Sequence, residues 1–127
     1  MKSYQPIKGK FKPKNLKKYL GDSRKIIYRS LWERKFMLYC DKTPEVLGWS
    51  SEEVRIKYEF EGQPKNYYPD FYVKFINESD EIEECIVEIK PYYQMSWCKN
   101  KAKWKFARDY CQDKNYTFKV LTEREIL

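Results

Sequence analysis

Two alternating segments separated by an acidic polar turn constrain this chain more than anything else in it. Residues 67–76 put Phe71, Val73 and Phe75 on one face of a strand and Asp70, Tyr72 and Lys74 on the other. Residues 84–90 put Val87 and Ile89 on one face, and Ile86, Glu88 and Lys90 on the other. The stretch 77–83 joins them as a hairpin. With its turn centred on Ser79, Asp70 lies opposite Glu88, and the Cβ atoms of such a cross-strand pair are ~5 Å apart. A slip of one residue would send the two carboxylates to opposite faces.

Facing carboxylates with a lysine beside them are unfavourable in a plain core, because unpaired charges are costly to bury. They make sense where a divalent cation and a phosphate are to be held. Magnesium prefers oxygen ligands, binds through one or two carboxylates and keeps waters that can become nucleophiles. Lys90 adds positive charge for a phosphoryl transition state. The chain has no histidine, so Ser-His-Asp and Cys-His machinery cannot be built from it. Carboxylates, lysine, tyrosine and a metal remain. The pattern therefore points to Mg²⁺-dependent phosphodiester hydrolysis with Asp70 and Glu88 as ligands, and with Mn²⁺ able to substitute.

Glu33 has two open readings. Ser30-Leu-Trp-Glu33 fits a helix-opening capping box, in which Glu33 serves helix stability alone. Equally, Glu33 projects from that helix where it can complete the metal shell, directly or through water.

The helix so opened should bury Trp32, Phe36, Tyr39 and Cys40 and end at Asp41–Pro44. Past Val46–Trp49, residues 53–60 read as the first strand, with Glu61-Gly-Gln-Pro64 turning the chain into the second. After a short connector, Pro91–Ser96, residues 97–112 read as a second helix with Trp104, Ala107 and Cys111 buried. Residues 116–121 read as a last strand, and Thr122–Glu125 as another capping box. The order α-β-β-β-α-β predicts an α/β fold whose mixed central sheet is flanked by helices.

The net charge of +7 over 127 residues has a location. Residues 1–25 hold nine Lys/Arg, among them Lys2, Lys8, Lys10, Lys12, Lys14, Lys17 and Lys18, against Asp22 alone. The rest of the chain is nearly neutral. This predicts a basic arm (1–25) ahead of a single domain (26–127). Tyr4, Phe11 and Tyr19 interleave with the lysines, as suits a phosphate backbone. Lys99 and Lys103 on the second helix are further candidate DNA contacts. No apolar run approaches a membrane span, and no signal peptide is expected. Cys40, Cys85, Cys98 and Cys111 lack any C-x-x-C pair, so they read as reduced core residues rather than zinc ligands.

The order Glu33 … Pro69-Asp70 … Glu88-Ile89-Lys90 resembles the PD-(D/E)xK nuclease superfamily. The runs Tyr28–Phe36, Trp49–Glu53, Tyr68–Phe71, Val87–Pro91, Ala102–Trp104 and Phe118–Glu123, with the basic stretch Lys8–Pro13, are similar to the head-completion nucleases of T-even-type bacteriophages. A more distant likeness is to the endonuclease domain of Tn7-type transposition protein A. The resemblance implies a restriction-endonuclease-like core and a Mg²⁺-dependent DNA endonuclease whose catalysis maps onto Glu33, Asp70, Glu88 and Lys90. It also implies action on DNA ends in filled heads, head or portal/neck proteins as partners, and a virion and host-cytoplasm setting. Two alternatives remain open: a virion DNA-binding protein with little turnover, and a transposition-type endonuclease subunit.

Overall fold

The computed structural model describes residues 7–126; Lys2 and Tyr4 of the arm lie outside the described residues. The elements are β1 (Gly9–Lys10), β2 (Ile27–Tyr28), α1 (Leu31–Lys42), β3 (Val46–Ser51), β4 (Ile56–Phe60), β5 (Gln63–Tyr67), β6 (Phe71–Ile76), β7 (Ile82–Ile89), α2 (Cys98–Lys114), β8 (Thr117–Leu121) and α3 (Glu123–Ile126). A four-stranded sheet runs β3-β6-β7-β8, with β7–β8 parallel and its other pairings antiparallel. Around that sheet the expected order α-β-β-β-α-β holds, as does its mixed, helix-flanked character.

The first sheet strand is not where alternation puts it. It is β3, whereas residues 56–60 form a separate hairpin with β5. The register of β3 shifts between Val46 and Gly48, and Gly48, Trp49 and Ser50 are buried in succession. A bulge and a two-sided burial erase the period-2 pattern. In the hairpin, Glu61 (φ 53°) and Gly62 (φ 74°) form the two-residue turn, both left-handed as a type I′ turn requires. Pro64 is therefore a strand residue, tolerated because β5 is an edge. Pro69 cannot donate to a ladder, so 67–76 divides into the end of β5 and β6.

The hairpin of β6 and β7 has the expected register: Phe71 pairs with Val87 and Ile76 with Ile82. Odd-numbered Phe71, Val73, Cys85, Val87 and Ile89 join Trp32, Met37, Cys40 and Trp49 in the main core. The opposite face meets α2 and the β4–β5 hairpin, where Ile56, Tyr58, Tyr67, Trp104 and Ala107 form a second core. On α1 the buried stripe includes Met37 and Asp41, while Tyr39 is 56% exposed.

Asp41 is buried because the arm docks on it. Its carboxylate accepts the backbone N–H groups of Lys14 and Asn15, both at 3.0 Å. Lys18 Nζ donates to the carbonyls of Asp41 (3.2 Å) and Thr43 (2.7 Å), capping the negative end of α1. Phe11, Tyr19 and Ile26 enter the main core. Leu20 N donates to Trp49 O at 2.8 Å, and Tyr19 bridges Trp49 in parallel, so the segment covers the outer edge of β3. All four cysteines are free; Cys40, Cys85 and Cys111 are buried, as expected of core residues, and Cys98 is exposed. Among the described residues, no helix is long and apolar enough to cross a membrane.

Candidate active site

Asp70 stands just before β6 and Glu88 near the end of β7, on the sheet face turned towards α2. The β6–β7 register sets them opposite each other. Each holds the other's strand: Asp70 N donates to Glu88 Oε1 at 3.3 Å, and Ile89 N donates to Asp70 Oδ2 at 2.7 Å. Glu88 is buried and Asp70 half-buried. Loss of hydration, then the charges of Glu88 and Glu33, push the Asp70 carboxyl well above the ordinary carboxylate range. Among the described residues neither carboxylate has an ion-pair partner.

Glu33 is only 7% exposed. Ser30 Oγ accepts from Glu33 N at 3.1 Å, as a helix N-cap should, but the return bond of a capping box is displaced by one residue. Glu33 Oε1 accepts from Arg29 N at 2.9 Å rather than from the N-cap amide. The carboxylate is thereby turned to the same neighbourhood as Glu52 and Glu88, and burial followed by those charges raises its pKa. By contrast, the capping box expected at Thr122 closes as predicted, with Thr122 N donating to Glu125 Oε1 at 2.7 Å.

Lys90 follows β7 directly, half-buried, its N–H donating to Leu121 O at 3.0 Å. Glu52 has a left-handed backbone (φ 55°), and its N–H donates to Asp70 O at 3.1 Å. Its carboxylate takes both ends of the Arg29 guanidinium, at 2.7 and 3.2 Å. Arg29 also feels the charges of Glu33 and Asp70. Sequence reasoning does not single out Arg29 or Tyr67. Arg29 lies within the Tyr28–Phe36 run without a pattern of its own, and nothing local marks Tyr67, whose place depends on the hairpin. The Tyr67 hydroxyl and Trp104 Nε1 are buried without hydrogen-bond partners among the described residues. Burial and the charges of Glu88 and Asp70 raise the Tyr67 pKa.

Among the described residues no three Asp, Glu, Cys or His side chains form a ready metal cage. The donor set nevertheless fits magnesium, which needs only one or two carboxylates and completes its shell with water and phosphate oxygens. The partly dehydrated charge of Asp70 and Glu88, without a salt bridge among the described residues, is what such an ion would offset.

Of the arm lysines, Lys8, Lys10, Lys12, Lys14 and Lys17 are exposed, whereas Lys18 is engaged on α1. Lys10, Lys12, Lys14, Arg34 and Lys42 line a basic cleft of about 390 Å³. A cleft of about 830 Å³ lies between α1, the 77–79 turn and α3 and contains none of Glu33, Asp70, Glu88 or Lys90. A polymer substrate does not require an enclosed cavity, so the chemistry need not lie in such a cleft.

Comparison with known proteins shows the family. Residues 43–123 match the family described as TnsA-like endonuclease N terminal, a span that contains Asp70, Glu88 and Lys90 and leaves Glu33 outside. The head completion nuclease of Enterobacteria phage T4 is 33% identical over an alignment 139 positions long, covering 91% of this chain and 90% of that protein.

Proposed function

The chain belongs to the TnsA-like endonuclease family and is an endonuclease; from that premise we propose that it is a divalent-metal-dependent DNA endonuclease acting in phage head completion. The observation that carries the metal reading is the Asp70–Glu88 pair, locked across β6 and β7 by two hydrogen bonds from backbone N–H groups to the carboxylates and without a salt bridge among the described residues.

Asp70 and Glu88 would hold Mg²⁺, or Mn²⁺ in its place. When bound, the ion supplies Lewis-acid polarisation of a phosphate oxygen and a lowered pKa for water. Lys90 offsets the charge that develops on the phosphate. Glu33 has Oε1 fixed by the Arg29 amide, which leaves Oε2 to orient water or the ion. Arg29, held by Glu52, keeps the entry to α1 in register with the Asp70 segment. Lys8, Lys10, Lys12, Lys14 and Lys17, with Lys99 and Lys103 from α2, are the DNA-contacting cations in this reading. The biological role proposed is processing of DNA ends in filled phage heads, in the virion and host cytoplasm, beside head or portal/neck proteins.

Supercoiled-plasmid nicking tests the proposal. Nicking should occur with Mg²⁺ or Mn²⁺, stop in EDTA, and be abolished in Asp70→Ala and Glu88→Ala. Full nicking in EDTA or by Asp70→Ala would refute the metal assignment.

A further inference from the structure

The face of α2 turned to the site carries a lysine whose surroundings differ from those of an ordinary surface contact. Lys103 is half-buried, beside the helix stripe formed by Asn100, Trp104 and Ala107. Its ammonium lies 5.5 Å from the centroid of the Tyr67 ring. Tyr67 ends β5 three residues before Asp70, and the carboxylates facing its hydroxyl are Glu88 and Asp70. The charges that reach Lys103 are Lys90, Glu88, Lys99 and Asp70, and burial together with the two lysines pulls its pKa down.

In the free protein this arrangement is unfavourable. Lys99 and Lys103 repel at i, i+4 on one helix, and Lys90 approaches from the end of β7. The Tyr67 ring compensates in part through a cation–π contact. Counting every charge that meets here, Glu33, Glu52, Asp70 and Glu88 are formally balanced by Arg29, Lys90, Lys99 and Lys103, so a divalent cation leaves the site with excess positive charge that an anion can neutralise. A phosphodiester is that anion. We propose that Lys103 is the second lysine of the site, binding a non-bridging oxygen of the phosphate being cut, opposite Lys90, with the Tyr67 ring holding its ammonium in position. This rests on the endonuclease reading and assigns Lys103 to the reacting phosphate instead of the flanking backbone.

The test compares the whole protein with Lys103→Gln, Lys103→Arg and Lys101→Gln. Lys101 is exposed and lies about 200° round the helix from Lys103. Three quantities are measured: the single-turnover nicking rate at saturating plasmid with Mg²⁺, the affinity for a short duplex in EDTA as a function of salt, and the melting temperature. Lys103→Gln should lower the saturated rate by about 100-fold, the scale for losing one preorganised donor at a developing oxyanion. Its duplex affinity should fall by no more than about threefold. Lys103→Arg should recover much of the rate, and Lys101→Gln should match the unmodified protein.

A Lys103→Gln rate within twofold of normal overturns the proposal. So does a loss confined to affinity, with the salt slope reduced by about 0.9, the mark of an ordinary backbone contact. Removing one of three crowded ammonium groups should leave melting unchanged or higher, so a fall of more than about 5 °C would make Lys103 structural and also overturn it. If the unmodified protein nicks with neither Mg²⁺ nor Mn²⁺, the endonuclease reading itself fails, a result distinct from equal nicking by both proteins.

Discussion

Replacing Asp70 by asparagine should stabilise the metal-free protein while destroying its activity. Asp70 faces Glu88 across two strands, and Glu33 adds further negative charge. Unit charges about 5 Å apart, the cross-strand spacing, repel by about 3 kcal/mol at an effective dielectric constant near 20. That figure is a ceiling, because a proton shared by the coupled pair relieves part of it. Asp70→Asn retains an oxygen to accept the Ile89 N–H, so the strand contact survives. The expected gain is about 1–2 kcal/mol at pH 7.5 in EDTA, or about 3–8 °C in melting temperature for a chain of this size.

The pH dependence follows from the raised Asp70 pKa. Between the ordinary value of 3.8 and the raised one, the native state binds more protons than the unfolded chain. Native stability therefore declines as pH rises through that window. Asp70→Asn lacks this decline, so the two proteins should converge in acid and separate towards neutrality. Saturating Mg²⁺ should narrow or reverse the gap, since it stabilises only the protein with both ligands. Thermal melts from pH 4 to 8, with EDTA or Mg²⁺, measure all of this. A lower melting point for Asp70→Asn at pH 7.5 in EDTA would refute the argument, since it would show that the carboxylate supports the fold.

Glu33→Gln keeps an oxygen for the Arg29 amide, so melting should stay near native while nicking falls by about ten- to a hundredfold, the scale for groups that orient a metal's ligands; native nicking would reduce Glu33 to helix support. Asp41→Ala removes the acceptor of the Lys14 and Asn15 amides and should cost about 2–4 kcal/mol, read as a lower melting point with faster hydrogen exchange in residues 9–20. Unchanged exchange there would show that the arm docks without Asp41. Replacing Lys10, Lys12 and Lys14 together by glutamine should weaken duplex binding and flatten its salt slope by up to about 0.9 for each phosphate no longer neutralised; an unchanged slope would assign the arm to something other than DNA.

What could be read from the sequence was whatever a short local pattern dictates. The β6–β7 alternation shows which residues share a face, and a turn centred on Ser79 pairs Asp70 with Glu88; the alternation leaves the turn centre itself open, and the structure has that register. The buried stripe of α2 at Trp104, Ala107 and Cys111 was equally local. Strand β3 escaped because its bulge and its burial on both sides remove the alternation by which strands are recognised. That the arm packs, with a short helical turn near 16–20, could be expected from its sequence, and the structure has such a turn at Leu16–Lys18; the partners on which it docks escaped for a related reason. Its lysines dominate the local composition, whereas its anchors (Phe11, Tyr19 and the bond from Lys18 to Thr43) gain meaning only when α1 and β3 are brought beside them. Glu33 shows the same limit at the site. Its capping role was legible from a three-residue spacing, but no local pattern gives the shift of its hydrogen bond from Ser30 to Arg29, whose guanidinium Glu52 holds from 23 residues away. Arg29, Tyr67 and Lys103 come from a strand exit, a hairpin and a helix, and no spacing rule joins them. Lys103 was legible as a basic helix residue fit for DNA, but its place beside Tyr67 depends on the packing of the β4–β5 hairpin against α2, so the role proposed for it at the reacting phosphate could be argued only from the folded chain.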